Sequence, residues 1–281
     1  MPVTLEVIRP YADRWSRKQC RSSAVTSRFS RAQIAAGIAA GEFAPAYQPQ
    51  LDLQTGRVVG FEALARWVHP DFGVIGPGDF IPQIESYSCS AELSLRLLGQ
   101  ALEDLSELDS VRFLGRIAIN VTQTALELEG FGRACTELCS VHGVPGQRIT
   151  LELTEHGAAF DSTHVEDNLT TLCGHGIMLS LDDFWVGHNS LDKEMLCHFR
   201  QIKIDTHLTH SSAEDPIAKA GVASILAFAR SLGWTCVAEG IESQADHERL
   251  AAEGCGHGQG FHYSPPLFIR PAKQWLANRY P

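Results

Sequence analysis

The sequence predicts an α/β fold, a (β/α)8 TIM-like barrel whose first two strands are antiparallel. Three observations carry that prediction. Eight β-type runs follow one another from Ala44 onward with helical stretches between most of them, the pattern of parallel strands joined by crossover helices, and eight is the number at which such a sheet closes. Only "QTGR" (Gln54 to Arg57) separates the first two runs, too short for a crossover helix and suited to a hairpin. The polar residues of the runs gather near their ends, as they do at the mouth of a barrel that keeps its active site there.

The elements follow in chain order. Residues 1–30 show no clear periodicity and form a basic, Ser-rich extension, expected to be mobile. Arg31–Gly41 reads as a short helix leading into the barrel. The first run is "AYQPQLDL" and the second "VVGFEALARW"; the helical stretches "GDFIPQIESY" and "AELSLRLLGQALEDL" come next. Then come "RIAINVT", "RITLELTE", the helical "DNLTTLCGHG", "IMLSLDDF" and "RQIKID". The helical "KAGVASILAFARSLG", the run "WTCVAEG", the helical "SQADHERLAAEG" and the run "GQGFHYS" complete the pattern. Residues 31–281 are therefore expected to form one domain after the extension at 1–30.

Composition removes several classes of function. The chain is 44% hydrophobic and 20% charged, and no apolar run reaches the ~18 residues of a membrane span. Its start, "MPVTLEVIRPYADRWSRKQC", lacks an apolar stretch followed by a small-residue cleavage site, so a cytoplasmic protein is expected. Eight scattered cysteines form no CxxC pair, which suggests neither a disulfide framework nor a zinc site. Cys135 and Cys139, at i,i+4, read as buried apolar residues of a helix. Residues 1–31 hold seven Lys or Arg against Glu6 and Asp13, whereas the whole chain carries −10. The body is therefore acidic, which argues against a nucleic-acid polymer as partner; a phosphate ester remains possible if cations stand between.

The carboxylates concentrate at one place. Glu62 closes "VVGFE", Asn120 closes "IAIN", Glu152 and Glu155 lie in "LELTE", and Asp182 and Asp183 end "MLSLDD". Lys203 and Asp205 end "IKID" on one strand face while Ile202 and Ile204 face the helices; Glu239 and Glu242 follow, and Gln259 opens the last run. Seven runs thus feed one acidic bowl. So many carboxylates cannot all be ionised without counter-charge. Carboxylates and an amide oxygen are hard ligands, which favours Mg²⁺, Mn²⁺ or Ca²⁺ over zinc, and adjacent aspartates suit a two-metal site. Any one of these residues alone would more often be a cap or a solvated loop residue; agreement over seven runs favours a shared site.

Other features are weaker. His207 and His210 in "DTHLTHSS" have ligand-like spacing, but a polar loop is the expected setting. The glycines at 254, 256, 258 and 260 match no dinucleotide fingerprint and more simply permit close backbone approach around Gln259. Arg66 could hold a phosphate or pair with a barrel carboxylate.

Taken together, these residues resemble the EAL-domain family, bacterial phosphodiesterases that hydrolyse cyclic di-GMP to linear pGpG. The resemblance runs from about Arg31 to about Arg270 and rests on "YQP", "FEALARW", "INVT", "LELTE", "LDDF", "KID", "AEGIE" and "QGF" in order. It implies that Glu62, Asn120, Glu152 and Asp182 hold a first metal, with Asp182 bridging to a second near Asp183 and Asp205. The ions implied are Mg²⁺ or Mn²⁺, two of them, with Ca²⁺ as an inhibitor. Glu239 would act as base on the attacking water, and Lys203 would orient the water or the phosphate. Gln48, Leu64, Arg66, Glu242 and Gln259, with Glu62, Asn120 and Asp205, would contact the dinucleotide. Glu155 would support the loop after the aspartates, and the family favours homodimers.

One departure stands out. The family writes that loop D-D-F-G-T-G-Y-S-S, whereas this chain has Asp182, Asp183, Phe184, Trp185, Val186, Gly187, His188, Asn189 and Ser190. A conformation easy for Gly is asked of Trp185. The loop lies near the family's dimer interface, and altered versions often accompany weak catalysis. Two functions follow as expectations: a metal-dependent phosphodiesterase, and, as the alternative, a catalytically weak or inactive domain that serves as a cyclic di-GMP receptor or protein-interaction module.

Overall fold

Ser30 and Gln33 cap each other at the start of α1 (Arg31–Ala40), and Gly41, in the left-handed region at φ 74°, ends it. The structure, a computed structural model, describes residues 28–154, 163–182 and 193–279; Glu155, Asp183 and the altered turn at 185–189 lie outside them.

After α1 come β1 (Phe43–Asp52), β2 (Val58–His69) and β3 (Gly73–Ile75). Then α2 (Ile81–Ser86), α3 (Ser90–Asp109), β4 (Arg116–Val121), α4 (Gln123–Leu126), α5 (Phe131–Val141), β5 (Ile149–Thr154), α6 (Thr163–Gly174) and β6 (Met178–Asp182) succeed one another. The chain continues through α7 (Lys193–Leu196), β7 (Phe199–Ile204), α8 (Thr206–Ser211), α9 (Pro216–Leu232), β8 (Thr235–Ala238), α10 (Gln244–Glu253), β9 (His257–Gln259) and α11 (Ile269–Arg279).

The sheet runs β1-β9-β8-β7-β6-β5-β4-β2, and β1 pairs again with β2, so eight strands close a barrel. All are parallel to their neighbours except β1, which is antiparallel to both β2 and β9. The expected hairpin is present, with Gln48 opposite Glu62.

The structure corrects several expectations. A ninth strand, β3, pairs with β2 outside the barrel. Glu62 lies in the middle of its strand and not near its end, and β2 runs two residues past the expected Trp67, to His69, because β3 pairs with it there. Gln259 ends rather than opens the last strand, since the chain turns after it. His207 and His210 lie on the short helix α8, not in a loop, because Asp205 caps that helix by accepting hydrogen bonds from the His207 and Leu208 amides. Asp205 therefore leaves the strand face it was expected to share with Lys203.

Period-two alternation divides each strand between two environments. Leu151 and Leu153 on β5, Leu179 and Leu181 on β6, and Ile202 and Ile204 on β7 are buried at 0–1% exposure; they turn outward under the helices, where each buried side chain stabilises the fold by about 1.5–3 kcal/mol. Their alternates, Thr150, Glu152, Ser180, Gln201 and Lys203, are equally buried but turn into the barrel. The apolar core thus lies between sheet and helices, while the barrel interior is polar. Cys135 and Cys139 are buried on α5, as their spacing suggested. No helix of the described residues is long and apolar enough to cross a membrane.

Candidate active site

Each of the eight barrel strands, not seven, delivers a polar side chain to one mouth. Gln48 comes from β1, Glu62 from β2, Asn120 from β4, Glu152 from β5, Asp182 from β6, Lys203 from β7, Glu239 from just after β8 and Gln259 from β9.

Lys203 stands at the centre. Its Nζ lies 2.6 Å from Glu239, 2.8 Å from Glu152, 3.3 Å from Asp182 and 3.5 Å from Glu62. At 1% exposure an ammonium is stable only when paired, and here four carboxylates surround it. Although burial opposes its charge, their combined field raises its pKa well above the ordinary value.

The carboxylates are not equivalent. Burial pushes Glu62 up, but the Lys203 ammonium and the amides of Gln259 and Asn120 outweigh it and hold Glu62 below the usual range; Asn120 donates at 2.7 Å. Glu152 goes the other way. Burial, reinforced by the Glu62 and Asp182 charges, overcomes Lys203 and raises it well above its ordinary value. Glu239 is pushed up to about 8, chiefly by burial, against Lys203 and with Asp182 and Glu62 adding to it. The excess negative charge is thus relieved partly by one lysine and partly by protons.

A chain of amides holds the other side of the mouth. Gln259 donates to Gln48 at 3.0 Å and to Glu62, and accepts from Gln50 at 3.0 Å; Gln48 donates to the Ser264 carbonyl at 3.2 Å. The glycines around Gln259 serve this arrangement: a Cβ on Gly258 would meet Leu53 and Ile241 side chains, and one on Gly260 would run into the Ile241 backbone.

Beside the cluster opens a cleft of about 480 Å³ whose walls include Gln48, Glu62, Asn120, Asp182, Glu239, Gln259 and, among the residues expected to touch a ligand, Leu64 and Glu242. Pro77, Ile81, Ile84, Leu97 and Phe261 give it an apolar side. Arg66 does not line it; its guanidinium donates to the Ala65 carbonyl at 2.8 Å and makes no ion pair among the described residues. Asp205 is likewise absent from its walls, its Oδ1 committed to the α8 cap. Sequence reasoning missed Gln50 and the apolar wall. Gln50 stands two residues from Gln48 on the same strand face, a spacing that could have found it; the wall is shared by α2, α3 and a loop, and helical spacing alone does not tell a cleft-facing apolar residue from a core one.

The donors suit a divalent cation. Oxygen atoms of four carboxylates and an amide are hard ligands, and Glu152 Oε1 is buried with no hydrogen-bond partner among the described residues. The four carboxylates stand around the Lys203 ammonium, and no three His, Cys, Asp or Glu side chains of the described residues meet in metal-ligand geometry.

An eight-stranded barrel whose every strand sends a polar group to a carboxylate-rich mouth defines the class: a TIM-type barrel with an active-site constellation at one end. Within that class the family is clear. The EAL domain family matches residues 31–266, and the chain belongs to it. The cyclic di-GMP phosphodiesterase RocR of Pseudomonas aeruginosa is 31% identical over 269 residues, covering 95% of this chain and 69% of RocR. The cyclic di-GMP phosphodiesterase PA2567 of the same organism is 31% identical over 82% of this chain, which spans only 39% of that relative. The PaMucR phosphodiesterase, solved in complex with c-di-GMP, superposes with a TM-score of 0.78 at 29% identity over 85% of this chain and 97% of that one.

Proposed function

We propose that the chain is a metal-dependent phosphodiesterase that hydrolyses cyclic di-GMP to linear pGpG. The observation that carries this is the cluster of Glu62, Glu152, Asp182 and Glu239 around Lys203, at the edge of a cleft of about 480 Å³, in a chain whose relatives are named for that activity.

Glu62, Asn120, Glu152 and Asp182 would hold one ion, with Asp182, Asp183 and Asp205 serving a second. Bound divalent ions of this kind, Mg²⁺ or Mn²⁺, acidify a coordinated water and offset phosphate charge. The chain's own residues do the rest. Glu239, deprotonated, takes the proton of the attacking water at its carboxylate. Lys203 stabilises the negative charge that grows on the phosphate oxygens, an interaction stronger in the transition state than in the ground state. Gln48, Leu64, Glu242 and Gln259 line the cleft and would orient the nucleotide. Incubation with cyclic di-GMP and Mg²⁺ or Mn²⁺, followed by chromatography, tests the reading; absence of linear product under all metal conditions rejects it.

Trp185 and Val186 favour a second reading, a receptor that binds cyclic di-GMP without efficient turnover. Nucleotide binding with no product would support it. If the loop sequence alone limits the rate, replacing Trp185 by Gly and Val186 by Thr lowers the metal concentration for half-maximal rate and leaves nucleotide affinity unchanged. The family resemblance adds a homodimer and the sequence a cytoplasmic setting; sedimentation tests the first.

A further inference from the structure

The proposed mechanism leaves His210 unused, yet this side chain touches the segment that carries two of the site's carboxylates. Glu239 and Glu242 both line the cleft, and the peptide between them turns at Gly240, whose φ is +69°. A side chain there would collide with Thr206, so the position is held to glycine, the residue with the least intrinsic backbone restraint. Restraint must come from hydrogen bonds.

On either side of Gly240 the backbone is fastened. The Glu239 amide donates to the Ile204 carbonyl at 3.0 Å, the Ile241 amide to the Gln259 carbonyl at 3.0 Å, and the His262 amide to the Ile241 carbonyl at 2.9 Å. The Gly240 carbonyl itself is met by His210 Nε2 at 2.7 Å. A carbonyl can only accept, so Nε2 carries the hydrogen. The same nitrogen lies 4.0 Å from Glu242 Oε1. His210 in turn stands on a braced support: Asp205 caps α8, and Arg249 donates to the Thr209 carbonyl at 2.9 Å and to Ser212 Oγ at 2.8 Å.

We propose that His210 is a positioning residue: its hydrogen bond to the Gly240 carbonyl fixes the turn that aims Glu239 at the reacting centre and Glu242 into the cleft. This rests on the phosphodiesterase reading for its kinetic consequence but not for its structural one. The His210 side chain is 41% exposed, so truncating it opens no core cavity and its effect on the site can be read apart from unfolding.

The experiment compares the full chain with His210→Ala and His210→Gln, whose carboxamide nitrogen reaches about as far from the main chain as Nε2. With cyclic di-GMP and Mg²⁺, His210→Ala is expected to lower kcat roughly two- to tenfold, the range one modest hydrogen bond supports, and His210→Gln to restore most of it. In the ligand-free chain, hydrogen exchange at the Ile241 and His262 amides should quicken in the Ala variant and return toward the parent in the Gln variant. Parent-like exchange in His210→Ala overturns the brace, and quickened exchange with unchanged kcat overturns the positioning role. A parent without any hydrolysis sinks the phosphodiesterase reading instead, and exchange still decides whether His210 holds the turn.

Discussion

Lys203 Nζ and Glu239 Oε1 stand 2.6 Å apart, so the residue assigned as base is held by the cation assigned to charge stabilisation. In the metal-free chain that contact does not overcome burial, and the Glu239 carboxyl sits at about 8 against an ordinary value of 4.5. Between those two values the folded state binds a proton that the unfolded chain has released, so this group's contribution makes stability fall as pH rises from about 4.5 to 8. Thermal unfolding in a chelator across pH 5–9 checks it: Glu239→Gln should flatten the decline seen in the parent. Identical slopes would show that Glu239 does not titrate as its surroundings dictate.

The same geometry predicts a double effect for Lys203. Lys203→Met removes the counter-charge of four buried carboxylates, and breaking a buried pair by removing one partner costs on the order of 3–5 kcal/mol. Chelated protein should therefore melt well below the parent. Nucleotide binding should survive in the presence of metal while kcat collapses, because the lost interaction belongs mainly to the transition state. If kcat is kept and only KM rises, Lys203 is a binding residue and its assigned role is wrong.

The barrel was legible because its signals are repeated. Eight runs, a four-residue first connection and polar run ends all point the same way, and "IKID" alone shows which face of β7 turns inward. The positions of single residues were less legible wherever a tertiary partner decides them. Asp205 looks like a continuation of the Lys203 face, but the amides of His207 and Leu208 draw it into a helix cap. The last two residues of β2, Val68 and His69, were not foreseen because β3, which pairs with them, is only three residues long and has no pattern to read. The central place of Lys203 was also hidden. Acidic residues counted in sequence suggest metal ions as the main counter-charge, and nothing in spacing shows one ammonium within reach of all four carboxylates.

Glu62 tests the proposed metal site without emptying it. Glu62→Gln keeps the shape and one acceptor oxygen but removes a carboxylate that its surroundings hold below the usual range. Mn²⁺ affinity, followed by paramagnetic resonance, should fall by more than the roughly tenfold that loss of an outer partner costs, with circular dichroism unchanged. Undiminished Mn²⁺ affinity would remove Glu62 from the ligand set.

Gly260 carries no side chain, yet it should govern both stability and binding. The Ile241 amide donates to the Gln259 carbonyl and the His262 amide to the Ile241 carbonyl, so Gly260 is clamped between two bonds that tie β9 to the turn bearing Glu239 and Glu242. A Cβ at 260 would overlap the Ile241 backbone. Backbone cannot step aside as a side-chain tip can, so Gly260→Ala must part the two segments. Overpacking of this kind costs typically 1–3 kcal/mol, roughly 2–4 °C of melting temperature per kcal/mol at this chain length. The displacement should also loosen Gln259 from Glu62 and Gln48, so nucleotide affinity should fall together with stability. Gly254→Ala provides the contrast: Gly254 has φ +88° and only the tip of Arg230 near its would-be Cβ, so that change should lower the melting temperature and leave affinity alone. Equal affinity in the parent and the Gly260 variant, measured by calorimetry with cyclic di-GMP, would show that the Gln259 network does not depend on this close approach.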